Sequence, residues 1–247
     1  MRNSTSKIAL VTGAAGTLGL AVTRALLEKG IGVVMADVDQ AKLDKLSAEL
    51  PGETLAVAVD LGSAEDVERA WARIEEAVGG VDILINNAGI LTNNKLEGTS
   101  PEEWRRIMDV NVNGLFDLTK LAAPGMKRKR WGRIVNTSSV AAKTGGITAG
   151  TAYSTSKGAV ISFTFSLAAE LAAFGVTVNG IAPAYVKTPM VTEQLSEQQR
   201  AAVIAKIPVG RFCEPEEFAH VVMFLVDEKA GFITGEIIDQ NGGLHFD

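Results

Sequence analysis

Ile8-Ala9-Leu10-Val11-Thr12-Gly13-Ala14-Ala15-Gly16-Thr17-Leu18-Gly19 decides the fold. Ile8 to Val11 is apolar at every position rather than at alternate ones, the pattern of a strand buried on both faces. The glycines at 13, 16 and 19 then break the strand, and helical spacing follows as far as Lys29. The reading is a strand, a tight glycine turn and a helix, in that order.

Working outward, the same alternation recurs. Short apolar runs fall at Val33 to Asp37, Thr54 to Asp60, Ile83 to Asn86, Arg133 to Thr137, Val176 to Ile181 and Glu236 to Asp239. Helical periodicity fills the spaces, with helices near 102–123, 152–173 and 215–226. The pattern predicts the α/β class: a single Rossmann-like doubly wound domain with a seven-stranded parallel sheet flanked by helices on both faces. No repeat or Pro/Gly/Ser linker divides residues 1–247, so one domain is expected, with a mobile substrate loop near 183–210.

Composition narrows the function. The chain has 247 residues, 47% of them hydrophobic, enough for one well-buried core. A formal net charge of -5 disfavours a polyanionic partner, and no nucleic acid is expected. Cys213 is the only cysteine, and His220 and His245 stand apart, so no metal site is expected. The four apolar residues Ile8 to Val11 are too few for a signal-peptide core or a membrane span. We read the chain as soluble and cytoplasmic, with no membrane partner.

A glycine turn between a strand and a helix is where a Rossmann fold binds pyrophosphate, because small residues admit the phosphates and the helix dipole stabilises them. Asp37 ends the second strand about 20 residues further on, where a carboxylate accepts from ribose hydroxyls and repels a 2′-phosphate. No Arg or Lys lies within Ala14 to Leu18 or directly after Asp37. NAD is therefore favoured over NADP. The competing reading of Asp37 is a cap for the next helix, with Asp39 close by.

The stretch 152–173 carries only Lys157 and Glu170 as charges, and a helix without a polar face must be buried. One face can pack on the sheet, and the other is expected to meet a second subunit, making a homo-oligomer. Within this helix Tyr153 and Lys157 stand four residues apart and share a face. An ammonium within about 6 Å favours the phenolate and brings a tyrosine toward working pH as a general acid or base. A core phenol beside a lysine that snorkels to water is the plainer alternative.

With these residues on the page, the chain resembles the short-chain dehydrogenase/reductase family along essentially its whole length. The resemblance rests on Thr12 to Gly19, Asn86-Asn87-Ala88-Gly89, Asn111 in Asn-Val-Asn-Gly, Ser139 in Asn-Thr-Ser-Ser, and Tyr153 with Lys157. It implies a catalytic set of Asn111, Ser139, Tyr153 and Lys157. Tyr153 would exchange a proton with the substrate oxygen, Ser139 would hold that oxygen, and Ser138 is passed over. Lys157 would also hold the nicotinamide ribose, and Asn111 would carry a water that links Lys157 to solvent. An alternative for Asn111 is a helix-bending hydrogen bond.

The same resemblance implies an NAD site made of Gly13, Gly16, Thr17, Leu18, Gly19, Asp37, Asp60, Leu61, Asn87, Ala88, Gly89, Tyr153, Lys157, Pro183, Val186 and Thr188, with Ile181 near the carboxamide. It also implies a tetramer. Val140, Ala141, Ala142, Ile147, Tyr185 and Met190 would line a mostly apolar substrate pocket.

Two residues depart from the family pattern. Thr17 stands where a glycine is usual, raising the expectation of a strained backbone and weaker cofactor binding. Ala184 replaces the glycine after Pro183. The basic run Lys127-Arg128-Lys129-Arg130 is read as closing a helix rather than docking a partner.

The expected activity is hydride transfer between NAD(H) and a small secondary alcohol or ketone. Reduction of a 3-oxoacyl thioester on an acyl carrier and oxidation of a polyol or sugar are the alternatives within that chemistry. A dinucleotide-sensing protein without turnover is the alternative outside it.

Overall fold

Ile8–Thr12 forms strand β1, and every residue in it is buried. The computed structural model describes residues 7–146, 148–189 and 196–246. Six further strands follow along the chain: β2 Gly32–Asp37, β3 Thr54–Ala58, β4 Ile83–Asn86, β5 Gly132–Thr137, β6 Val176–Pro183 and β7 Ile237–Gln240. They make one sheet in the order β3-β2-β1-β4-β5-β6-β7, with every pairing parallel. The winding reverses between β1 and β4, so a crevice opens there at the carboxyl ends of the strands.

The helices are α1 Thr17–Glu28, α2 Gln40–Glu49, α3 Ala64–Val78, α4 Pro101–Met108, α5 Gly114–Lys129, α6 Val140–Thr144, α7 Thr151–Leu171, α8 Glu197–Ile204 and α9 Pro215–Val226. The unbroken apolar run of β1 is explained by two cores. Ile8 and Leu10 face one with Trp71, Leu118, Met126 and Leu171, from α3, α5 and α7. Ala9 and Val11 face the other with Leu26, Leu43 and Phe218, from α1, α2 and α9. At about 1.5–3 kcal/mol for each fully buried large aliphatic side chain, these two layers supply the main driving force for folding.

Several helix starts are written locally. Asp39, Ser63 and Ser100 accept hydrogen bonds from first-turn amides of α2, α3 and α4, and Ser196 with Gln199 makes a capping box on α8. The basic run does close a helix: Lys127 to Lys129 form the last turn of α5, and Arg130 ends it in the left-handed region at φ 52°.

Two expectations need correction. The helix expected over 102–123 reaches from Pro101 to Lys129 but is interrupted by a π turn at Asp109–Asn113. The strand expected over Thr54 to Asp60 ends at Ala58, because the Asp60 amide turns to the Asp66 carboxylate. Helix α7 buries one face within the chain, through Ala152, Ser156, Lys157, Val160, Thr164, Ala168 and Leu171. Its other face leaves Phe165 at 49% exposure, and Phe163 meets the open Phe116 of α5 edge to face. Thr151–Phe174 is the one stretch among the described residues long and apolar enough to cross a membrane, and its buried face packs on the sheet.

Candidate active site

The glycine loop is shaped by contact. Gly13 adopts φ +65°, and a Cβ there would lie 3.0 Å from the Ala88 Cα. Gly19 packs so closely on Gly13 that no side chain fits between α1 and the loop. The start of α1 has no side-chain cap and no acidic residue in its first turn. Its orphan amides and dipole therefore face the crevice, an arrangement that fits a pyrophosphate. Thr17 is the first helical residue, and among the described residues only Arg130 combines a side chain with positive φ. The strain expected at Thr17 is absent, because the left-handed step falls on Gly13. Ala184 likewise needs no positive φ.

Asp37 lies at the end of β2 and accepts from the Ala15 amide at 3.1 Å and the Val38 amide at 2.8 Å. The cap of α2 is Asp39, bonded to the Lys42 amide, so the capping alternative for Asp37 fails. Arg24 and Lys42 line a groove of about 280 Å³ with Ala15, Gly16 and Thr17. Proximity in sequence had hidden both cations, which arrive from the second turn of α1 and the first turn of α2.

Asp60 receives both arms of the Arg106 guanidinium, at 3.0 and 3.1 Å, and the Gly62 amide at 2.9 Å. Arg106 holds its carboxyl below the ordinary carboxylate range. Leu61 beside it is buried against Gly114. Across the switch point, the Thr12 hydroxyl accepts from the Asn87 and Ala88 amides, both at 3.0 Å, and the Asn87 side chain donates to the Thr12 carbonyl. Gly89 sits where a Cβ would come within 3.2 Å of Lys157 Nζ and 3.3 Å of Asn111 Oδ1.

The four expected catalytic residues converge. Ser139 is the N-cap of α6, its oxygen accepting from the Ala141 amide at 3.1 Å. That bond leaves the hydroxyl proton free to point away from the helix, and Ser139 lies near enough to the Tyr153 phenol to favour its ionised form. Ser138 turns the other way and donates to the Lys157 carbonyl at 2.8 Å. Lys157 is 3% exposed and donates to the Thr137 carbonyl at 2.8 Å, so it does not snorkel. Burial brings its amine down to about 8.

The expected lowering of Tyr153 does not occur. Burial pushes the phenol above its ordinary range, and only Ser139 acts the other way. Lys157 Nζ lies 5.8 Å from the ring centroid, engaged with Thr137 rather than with the phenol oxygen.

Asn111 sits in the π turn, a feature frequent at functional sites. Its amide does not bend its own helix. Oδ1 accepts from the Ile90 amide at 2.8 Å, and Nδ2 donates to the Ile90 carbonyl and to Ser156 Oγ, both at 3.0 Å. Ser156, fully buried, passes the contact to the Tyr153 carbonyl at 2.7 Å. Neither Ser156 nor Arg106 was singled out in the sequence. Ser156 could have been found one position before Lys157, on the same buried face.

Pro183 ends β6, and the next residue, Ala184, bonds the Gln240 carbonyl. Val186 bridges to Cys213, and Thr188 is half-buried beyond it. Ile181 packs in the core on the α1 side rather than opening to the crevice. Of the expected pocket residues, Tyr185 borders a cavity of about 200 Å³ with Ile207, Arg211 and Gln240. Val140, Ala141 and Ala142 lie in α6. Ile147 and Met190 fall outside the described residues.

Known proteins resemble this chain along nearly its whole length. A family model described as Enoyl-(Acyl carrier protein) reductase matches residues 13–245. The 3-oxoacyl acyl-carrier-protein reductase of Vibrio cholerae is 40% identical over 244 residues, covering 98% of this chain and 99% of that protein. Its counterpart in Thermotoga maritima is 36% identical over 241 residues, covering 96% and 97%. A crystal structure of the Brucella melitensis reductase superposes with a TM-score of 0.92 at 34% identity, covering 98% of this chain and 92% of that one. A Brucella structure described with bound NAD gives 0.90 at 33% identity, covering 100% and 94%. The chain belongs to the short-chain dehydrogenase/reductase family and is an oxidoreductase.

Proposed function

We propose that this oxidoreductase interconverts a ketone and a secondary alcohol using NAD(H), with a 3-oxoacyl thioester as the ketone. The observation that carries the chemistry is the placement of Ser139 beside the Tyr153 phenol, with the buried Lys157 Nζ 5.8 Å from the Tyr153 ring. A nicotinamide ring supplies or accepts the hydride. Ser139 donates to the substrate oxygen as charge develops on it, and Tyr153 gives or takes the proton. Lys157 holds the ribose and faces the phenol from behind. Asn111, fixed by Ile90 and Ser156, leads the proton path toward solvent.

The glycine loop, Asp60, Leu61, Asn87 to Gly89, Pro183, Val186 and Thr188 form the cofactor site in this reading. Asp37 supports NAD, as does the NAD described in the Brucella relative. The substrate class rests on the activity of relatives that match nearly end to end. The substrate loop near 183–210 belongs to the same proposal.

A specific observation keeps a second reading, a small free ketone. Three cations of the basic run have local partners: Lys127 lies 4.2 Å over the Phe174 ring, Lys129 pairs with Asp82, and Arg130 bonds the Ala173 carbonyl. An acidic carrier would have to compete for them. Initial rates with NADH and NADPH on acetoacetyl-CoA, an acetoacetyl carrier protein and small aryl and alkyl ketones decide the matter. Preference for small ketones over both thioesters would favour the second reading.

A homo-oligomer, a tetramer by resemblance, and a cytoplasmic location complete the proposal. The open faces of α5 and α7, with Phe116 and Phe165, support the oligomer. A monomeric mass by light scattering at micromolar concentration would sink it.

A further inference from the structure

The connector between α6 and α7 joins the two hydroxyls of the site, since Ser139 caps α6 and Tyr153 lies in the first turn of α7. Its first two residues have little stiffness of their own, because Gly145 and Gly146 sit in succession at φ +72° and +71°, conformations that glycine leaves as readily as it enters. Its restraint comes from the loop after β4. Lys95 Nζ donates to the Gly146 carbonyl at 2.6 Å and to the Ala149 carbonyl at 2.7 Å. Beside these bonds, the Gly150 amide donates to the Thr92 carbonyl at 2.7 Å and the Thr151 amide to the Asn94 carbonyl at 3.0 Å.

Lys95 therefore grips both ends of the connector, and the two backbone bonds complete the seam. Bonds from an ammonium are charge-assisted and stronger than those between neutral groups. Resting on the reading of Ser139 and Tyr153 as the reacting pair, we propose that Lys95 is a positioning residue that fixes the separation of their hydroxyls by holding the connector at Gly146 and Ala149. A displacement of about 1 Å between reacting groups costs on the order of 100-fold in rate, so a partial loosening is worth about tenfold.

The test uses the whole chain, with Lys95→Met to keep the apolar stem, Lys95→Arg to restore donors, and Tyr153→Phe as the control on the underlying reading. Amide hydrogen exchange is followed at Gly150 and Thr151, and kcat and KM are measured with NADH and acetoacetyl-CoA. The expected result in K95M is exchange about tenfold faster at those two amides. A kcat about tenfold lower should accompany it, with KM and the NADH Kd within about twofold and both effects reversed in K95R. A purely structural role would lower the melting temperature without this split between kcat and KM.

Exchange requires no substrate, so unchanged exchange at Gly150 and Thr151 overturns the proposal by itself. Faster exchange with unchanged kcat overturns it too. An inactive Y153F beside a K95M of wild-type behaviour rejects Lys95 alone, whereas a fully active Y153F rejects the catalytic reading and the proposal with it.

Discussion

Lys157 donates from Nζ to the carbonyl of Thr137 at 2.8 Å, two residues before Ser139 on the same backbone. Ser138, between them, returns the contact by donating to the Lys157 carbonyl. Helix α7 is thus hung from the end of β5 through one residue at both its side chain and its main chain. These contacts pin α7 at Lys157, one turn beyond the phenol.

This burial has a pH signature. Lys157 titrates near 8 in the folded protein against an ordinary 10.5. Between those values the unfolded chain binds more protons, so stability rises with pH. Below pH 8 both states are protonated and the full penalty applies, about 3 kcal/mol at 1.36 kcal/mol per unit. Lys157→Met removes the titration, so wild type should gain up to about 3 kcal/mol relative to the variant from pH 8 to 10.5. Urea unfolding at half-unit steps measures it, and a flat difference would contradict the buried cation.

Tyr153→Phe and Ser139→Ala should differ in kind. Loss of the phenol should lower kcat by roughly 100- to 10,000-fold with little change in melting temperature. Loss of the serine should lower kcat by about 100- to 1,000-fold, and should also destabilise by about 1 kcal/mol because Ser139 caps α6. Steady-state rates beside thermal melts separate the two effects.

Asp37→Ser should move cofactor preference toward NADPH by at least about tenfold in the ratio of Kd values, by removing the charge that faces a 2′-phosphate. Arg24 and Lys42 are then the nearest cations along the groove. Adding Lys42→Ala to that variant should reduce NADPH binding and leave NADH binding alone. Fluorescence titration with both cofactors reads this directly.

Thr17→Gly should leave the NADH Kd within about twofold and lower stability by about 0.5–1 kcal/mol, because the residue is already helical and glycine is a poor helix former. A marked tightening of NADH would mean that the threonine does hinder the phosphates.

Arg130→Gly should raise the melting temperature by about 2–4 °C, the shift for roughly 1 kcal/mol in a chain of this size. It relieves a non-glycine residue held at φ 52°. Differential scanning fluorimetry is sufficient, and a lower melting temperature would show that the Arg130 bond to Ala173 matters more.

What could be read from the sequence was what is local. β1 and β4 announce themselves by an unbroken apolar run and match their expected limits at Ile8, Thr12, Ile83 and Asn86. The candidate catalytic residues could be named because short motifs around each resemble those of a known family; spacing alone pairs only Tyr153 with Lys157. The π turn at Asp109–Asn113 escaped notice because a shift in hydrogen-bond register leaves hydrophobic spacing nearly unchanged. Lys95, Arg106 and Ser156 escaped because their partners lie 45 to 54 residues away in the chain. The sign of the Tyr153 shift was missed for a related reason. Four-residue spacing says that Lys157 shares its face, but not that the amine is committed to Thr137.

The reversal between β1 and β4 has an evolutionary consequence. Asp37 and the glycine loop stand on the β1 side of that line, and Ser139, Tyr153 and Lys157 stand on the β4 side. The Thr12 hydroxyl, held by Asn87 and Ala88, is the stitch between them. Substitutions on opposite sides share few partners, so their effects should add rather than interfere. A lineage built on this sheet can alter the adenosine end of its cofactor site on one bank and its substrate pocket on the other, in separate steps, provided that the stitch at Thr12 is left in place.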